Sequence, residues 1–507
     1  MVLKIIMLVA FFAVMIGVGF YCRKEAQNVD GFVLGGRKVG PWLTAFAYGT
    51  SYFSAVVFVG YAGQFGWKYG IASTWAGIGN AVIGSLLAWI ILGKRTRIMS
   101  RTLNSSTMPD FFGKRFDAKS LKIGASIITF VFLIPYTASL YNGLSRLFGM
   151  AFNIDYTICV IIMAVLTGVY VIAGGYMATA INDFIQGIVM LGGIVAVIIA
   201  VINGKGGFAS AFAQMTQVSD PSVGAEQGAF ASIFGPDPIG LLGVVILTSL
   251  GTWGLPQMVQ KFYAIKDESA IKKGTIISTI FALVVAGGCY FLGGFGRLFA
   301  DQIDVKAGGY DSIIPTMLSG LPDILIGIVV ILVLSASMST LSSLVLTSSS
   351  TITIDLVNEA KKKKMSDKSQ VLLMRVLIVV FIALSVIIAI VQYKSNVTFI
   401  AQLMGISWGA LAGAFLAPFL YSLFWKGTTK AACWVNFVFS VAFMLIDLFG
   451  NLTGAQILPV LLRSPINAGA FCMLAGFAIV PIVSAFTKKP SVGITEFAFS
   501  DIGKKNE

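Results

Sequence analysis

The sequence predicts an all-α membrane protein of about 13 transmembrane helices, ten of which form two inverted five-helix repeats. Three observations predict it. Hydrophobic residues make up 57% of the 507-residue chain and charged residues 11%, which is more apolar material than a soluble domain buries. Thirteen apolar stretches are each long enough to cross a hydrocarbon core of about 30 Å. Two of those stretches, five spans apart, are interrupted in mid-span by glycine, proline and hydroxyl residues.

The stretches run, in order, over residues 3–22, 41–65, 71–93, 121–150, 155–173, 179–203, 238–260, 274–299, 321–357, 371–393, 397–424, 431–450 and 466–487. The first lacks a small-residue cleavage site and is followed by Arg23 and Lys24, so it reads as a retained helix rather than a removed leader. In the second, Ala45-Phe46-Ala47 gives way to Tyr48-Gly49-Thr50-Ser51-Tyr52-Phe53-Ser54, where a glycine and a polar cluster favour local unwinding and free backbone carbonyls. The seventh does the same at Gly251-Thr252-Trp253-Gly254-Leu255-Pro256, because proline removes a helical donor and the glycines lower the cost of a break. Each broken span opens a block of five. An odd-numbered block repeated in tandem is inverted in the membrane, which divides the chain into a first helix with its loop (1–40), a first repeat (41–203), an outer loop (204–237), a second repeat (238–424) and two added helices with a tail (425–507). Interrupted helices at matching positions of two repeats point to a secondary transporter with its site near the bilayer midplane.

The net charge of +14 is distributed by side of the membrane. One side carries Arg23, Lys24, Arg37, Lys38, Lys94, Arg95, Arg97, Arg101, Lys114, Arg115, Lys119, Lys122, Lys261, Lys266, Lys272, Lys273, the run Lys361 to Lys364, Lys368, Arg375, Lys426, Lys430 and the tail Lys488, Lys489, Lys504 and Lys505. The other has Lys4, Lys68, Arg146, Lys205, Arg297, Lys306, Lys394 and Arg463. The excess of lysine and arginine on one face predicts a multi-pass protein of the plasma (inner) membrane, N-terminus outside and C-terminus cytoplasmic. It accounts for the charge with the lipid bilayer as partner and without nucleic acid. Histidine is absent and the five cysteines include no CxxC pair, which argues against zinc, a disulfide framework and histidine acid–base chemistry. Without a phosphate-binding glycine-rich loop, direct coupling to ATP is not expected. No enzymatic reaction is predicted.

The ninth span carries the densest polar constellation, Leu334-Ser335-Ala336-Ser337-Met338-Ser339-Thr340-Leu341-Ser342-Ser343. Lipid offers a hydroxyl no partner, so these groups bond their own helix, a neighbouring helix or a cation. On an α-helix Ala336, Ser339, Thr340 and Ser343 share one face, with Ser342 beside them. Several oxygens and little bulk suit a small hard cation; close helix packing by small residues is the alternative. Asp183 is the other expensive group, a carboxylate near the start of the sixth span, where such residues mark ion pathways or simply favour the helix dipole. Candidate solute contacts are Ser54, Tyr136, Trp253 and Gln257, in or near the breaks and in the fourth span.

These residues resemble the sodium/solute symporter family, most closely its sodium/proline symporter branch. The resemblance covers nearly the whole chain and rests on Gly35-Gly36-Arg37-Lys38-Val39-Gly40-Pro41-Trp42, Pro109-Asp110-Phe111-Phe112, Gly174-Gly175 and Met338-Ser339-Thr340-Leu341-Ser342. It implies a fold resembling the leucine-transporter type. It also implies a primary sodium ion (Na+) held by the Thr50, Phe53 and Ala336 carbonyls and the Ser339 and Thr340 hydroxyls. A second sodium, used by some members, would fall on Asp183, Ser339, Ser342 and Ser343. This chain departs from the proline branch at Tyr52-Phe53-Ser54-Ala55-Val56 and at Thr248, which stands near the branch's seventh-span tryptophan; Tyr136 is retained. The departures weaken proline as the expected solute and leave other small organic solutes open: an amino acid, a monocarboxylate or a pantothenate-like acid. The expected function is sodium-coupled symport of such a solute by alternating access. Two alternatives stay open: proton coupling through Asp183, and a solute sensor of the same fold without turnover.

Overall fold

The computed structural model describes residues 2–305, 309–361, 363–395, 400–455 and 457–502. Of the cations counted above, Lys306, Lys362, Lys504 and Lys505 lie outside the described residues. Among the described residues ten helices have the length and hydropathy to cross a membrane, and a bent pair, Pro238–Gly254 and Pro256–Ala264, meets at 47° to make one further span. Two of the ten are too long for a single crossing. Val56–Thr102 has 47 residues and Tyr156–Asn203 has 48, about 70 Å each if straight. Both are divided at a glycine with positive φ, Gly70 at 61° and Gly175 at 56°. Gly175 combines that φ with ψ −146°, a region open almost only to glycine, and a Cβ there would meet the Phe32 carbonyl at 2.9 Å. Divided at these glycines, the helices make thirteen spans, as the hydropathy pattern predicts.

The two interruptions fall where the sequence places them. The first half of the second span, Pro41–Tyr52, starts on a proline and ends at Phe53, whose backbone is extended (φ −90°, ψ 126°); helical winding resumes at Val56. In the seventh span the break is Leu255, also extended (φ −82°, ψ 122°), as the residue before a proline prefers. At one end of the molecule the two broken helices are tied together through their backbones. The Val39 amide donates to the Ala264 carbonyl at 3.3 Å, and the Lys266 amide to the Val39 carbonyl at 3.0 Å. Arg97 donates to the Ile265 and Lys266 carbonyls at 3.2 and 2.7 Å.

At the other end, contact is close enough to require glycine. A Cβ on Gly66, in the second half of the second span, would sit on the Gly293 carbonyl of the eighth, and one on Gly293 would sit on the Ala62 carbonyl. The ninth and eleventh spans form the centre, 78% and 94% buried across their apolar windows against 28% and 33% for the first and tenth. The site is thus laid around the ninth span, where every residue from Val329 to Ser350 is buried.

The charge-rich face differs from the sequence expectation in one respect. Several of its cations are structural rather than free surface charge. Arg97 is spent on carbonyls, and Lys122 is grouped with Asp110, Asp355 and Glu359 at 2.9, 3.6 and 3.4 Å. The seventh span also continues to Ala264, past the predicted end at residue 260, and so carries Lys261 into the protein interior.

Candidate functional site

The breaks bring backbone oxygens of the second span against the hydroxyl face of the ninth. The Ser339 Oγ lies 3.0 Å from the Thr50 carbonyl and 3.1 Å from the Ala336 carbonyl. The Thr340 Oγ1 lies 3.1 Å from the Ala336 carbonyl, 3.3 Å from that of Phe53, and 3.4 Å from those of Thr50 and Ser51. All of these residues are buried. Each hydroxyl has one proton to donate, so two protons face four carbonyls and most of the oxygen lone pairs converge without a donor. That surplus of acceptors is the chemistry of a hard-cation site. No carboxylate belongs to the set, which suits a monovalent ion better than a divalent one. Thr50, Phe53, Ala336, Ser339 and Thr340 are therefore brought together as the sequence reading expects. Ser51, whose carbonyl also faces Thr340, was not anticipated.

A second polar cluster begins one helical turn further along. The Ser343 Oγ stands 2.8 Å from the Ser51 Oγ and 3.2 Å from the Ser339 carbonyl, and Ser342 donates to the same Ser339 carbonyl at 2.8 Å. Into this cluster reaches Lys261. Its Nζ donates to the Ser343 Oγ at 2.9 Å, lies 3.8 Å from an Asp183 carboxylate oxygen, and stands 5.1 Å from the centre of the Tyr176 ring. Sequence reasoning counts Lys261 among the surface cations; in the structure it is 2% exposed and Asp183 is 0% exposed. The signal that could have found it is the helical register from Pro256: the lysine is only five residues past that proline. The proton-coupled alternative, in which Asp183 titrates and the hydroxyls only pack, rests on a carboxylate that faces an ammonium group.

The predicted solute residues divide. Ser54, Tyr136 and Gln257 are buried, and the Ser54 Oγ, the Tyr136 hydroxyl and both amide atoms of Gln257 make no hydrogen bond of ordinary geometry among the described residues. The Trp408 Nε1, passed over in the sequence, joins them. Its ring packs edge-on against Tyr136 at 5.9 Å and lies 6.1 Å from Tyr52. The Tyr136 hydroxyl faces Ser54 and Trp408, so these neutral polar groups gather at one aromatic corner. Trp253 stands apart, its Nε1 donating to the Ile83 carbonyl of the third span at 2.9 Å.

Paired broken helices, with carbonyls from one break converging on a hydroxyl face deep in the membrane, define a secondary transporter. The match to the family model for the sodium:solute symporter family extends over residues 32–437, and the chain belongs to that family. It is 29% identical over 495 residues to the osmoregulated proline transporter OpuE of Bacillus subtilis, covering 96% of this chain and 95% of that one. It is 28% identical over 513 residues to a sodium/proline symporter of Staphylococcus aureus, covering 98% and 95%. Among solved structures, a sodium-coupled sialic acid symporter in a substrate-bound, outward-open state superposes with a TM-score of 0.75 at 18% identity, over 96% of this chain and 98% of the other. That likeness confirms the leucine-transporter type of fold.

Proposed function

We propose that the chain is a sodium-coupled symporter that carries a small zwitterionic amino acid inward by alternating access. The observation that carries this reading is the convergence of the Thr50, Phe53 and Ala336 carbonyls with the Ser339 and Thr340 hydroxyls. Sodium bound there joins the broken second span to the ninth and favours one arrangement of the two. Coupling follows because the ion binds the outward and inward states with different free energy. With a tenfold gradient and a potential of about 100 mV, one sodium supplies about 1.4 plus 2.3 kcal/mol, enough for accumulation of roughly several hundredfold.

The solute class is supported by the neutral set around Tyr136. Ser54, Gln257 and Trp408 offer donors and acceptors and carry no net charge, which matches a solute whose own charges cancel. The relatives named as proline transporters support an amino acid. Residues 41–203 and 238–424 act as the two repeats, with the N-terminus outside and the lysine-rich face cytoplasmic.

The test is uptake of a labelled solute panel (proline and other neutral amino acids, monocarboxylates, pantothenate) into proteoliposomes under a sodium gradient and, separately, a proton gradient. Sodium-driven uptake of a neutral amino acid, lost in the Ser339→Ala/Thr340→Ala double variant, is the expected result. Proton-driven uptake indifferent to that variant would sink the sodium mechanism.

A further inference from the structure

We propose that Lys261 is a tethered cation that fills the second cation position, so that this chain runs its cycle on one sodium ion. The inference rests on the sodium-coupled reading above and refines it to a stoichiometry. Asp183, Ser342 and Ser343 are the residues a second sodium would be expected to use, and the Lys261 ammonium already touches that set. It meets three kinds of cation partner at once: the Ser343 hydroxyl at 2.9 Å, the Asp183 carboxylate at 3.8 Å and the face of Tyr176 at 5.1 Å. An ammonium only donates, so the Ser343 oxygen accepts from it, and the Ser343 proton is left for the Ser339 carbonyl or the Ser51 Oγ. The hydroxyl is thereby oriented as it would be by a metal ion, through its lone pair.

Charge gives the same answer. The pocket holds one carboxylate and one ammonium, each buried, and the pair is neutral. A sodium ion placed beside them would bring a second positive charge within a few ångströms of the first, in a medium that screens poorly. The polar side chains that flank Asp183 on its own helix give it no further anion, since both are neutral amides: Asn182 donates to the Met15 carbonyl and Gln186 to the Met15 sulfur. Lys261 also sits on the inner half of the broken seventh span, so its charge moves with that helix. It can enter and leave its seat during the cycle without leaving the protein, and it draws nothing from the sodium gradient.

The experiment counts sodium rather than transport. Binding of radiolabelled sodium to the purified full-length chain is expected to saturate at one ion per chain in the wild type and to vanish in Ser339→Ala/Thr340→Ala. Lys261→Ala is expected to bind two, the added ion being lost again in Lys261→Ala/Asp183→Asn. Lys261→Gln, which keeps the length of the stem, carries the same expectation if the alanine variant does not fold. Two ions in the wild type, one of them removed by Asp183→Asn, would overturn the proposal and leave sodium coupling standing. A count that stays at one in a folded Lys261 variant would overturn it too. No bound sodium in the wild type would overturn the coupled reading itself.

Discussion

Replacing Asp183 by asparagine leaves the Lys261 ammonium buried with no counter-charge. Opposite unit charges 3.8 Å apart attract by about 4 kcal/mol at an effective dielectric constant near 20, and removing one partner of a buried pair typically costs about 3–5 kcal/mol. Asp183→Asn is therefore expected to destabilise the protein by about that amount. Lys261→Met is expected to cost as much in sodium-free buffer, since it strands a carboxylate whose oxygens make no hydrogen bond among the described residues. The double variant removes both charges and is expected to cost less than the sum of the singles by about 2–3 kcal/mol. Reversible denaturant unfolding in detergent micelles, with sodium excluded, reads all four corners of the cycle. Sodium then separates the two singles: it is expected to restore Lys261→Met by about 2.7 kcal/mol at one hundred times its dissociation constant and to give Asp183→Asn no such added gain over wild type. Single variants within about 0.5 kcal/mol of wild type, or a strictly additive double, would refute the reasoning.

Other expectations follow from the same geometry. Ser339→Ala removes one oxygen from the primary cluster and is expected to weaken sodium binding by about 1.5–3 kcal/mol, roughly tenfold to a hundredfold, as read by direct binding titration. Gly66→Ala forces a Cβ onto the Gly293 carbonyl and is expected to cost about 3 kcal/mol, while Gly40→Ala, with nothing within 4 Å of the added carbon, is expected to be near neutral; thermal unfolding of the two compares them directly. Asp311, in the loop before the ninth span, has its carboxyl raised by burial, against the opposing pull of Arg146 at 3.8 Å and of the Ile400 amide at 3.3 Å. A raised folded value means that its contribution to stability is full below the ordinary carboxylate range and is lost as pH rises through the folded value. Stability of wild type is expected to decline over that window, and Asp311→Asn to flatten the slope in a pH series of unfolding midpoints.

The parts of this molecule that the sequence makes legible are those governed by local rules. Hydropathy marks the spans, Pro256 announces the seventh break, and the 3.6-residue period puts Ala336, Ser339 and Thr340 on one face before any coordinates are seen. Lys261 was not legible because its role depends on Asp183, some eighty residues away, and on a helix that runs four residues past its apolar stretch. By composition it belongs to the cation-rich face. Trp408 was passed over because tryptophan in a span is ordinarily packing, and only the neighbourhood of Tyr136 and Tyr52 sets it apart. Trp253, beside the break, has the right address and the wrong direction, since its indole is engaged by the third span. Periodicity reports which face a side chain occupies on its own helix and says nothing of which helix stands opposite.

The two attachments of the second span differ in kind. The segment that leads into its first half is laced to the end of the seventh span by the amides of Val39 and Lys266, and its second half is pressed to the eighth through Gly66 and Gly293. Both halves also lie against the eighth span, Gly49 and Phe46 on the Phe281 ring and Gly66 on Gly293, and the extended residue Phe53 is the joint between them. The carbonyls of that joint are themselves part of the ion cluster, so any change in the angle between the halves alters the distances a bound ion would feel. The ion and the elbow read one another directly, with no lever arm between them.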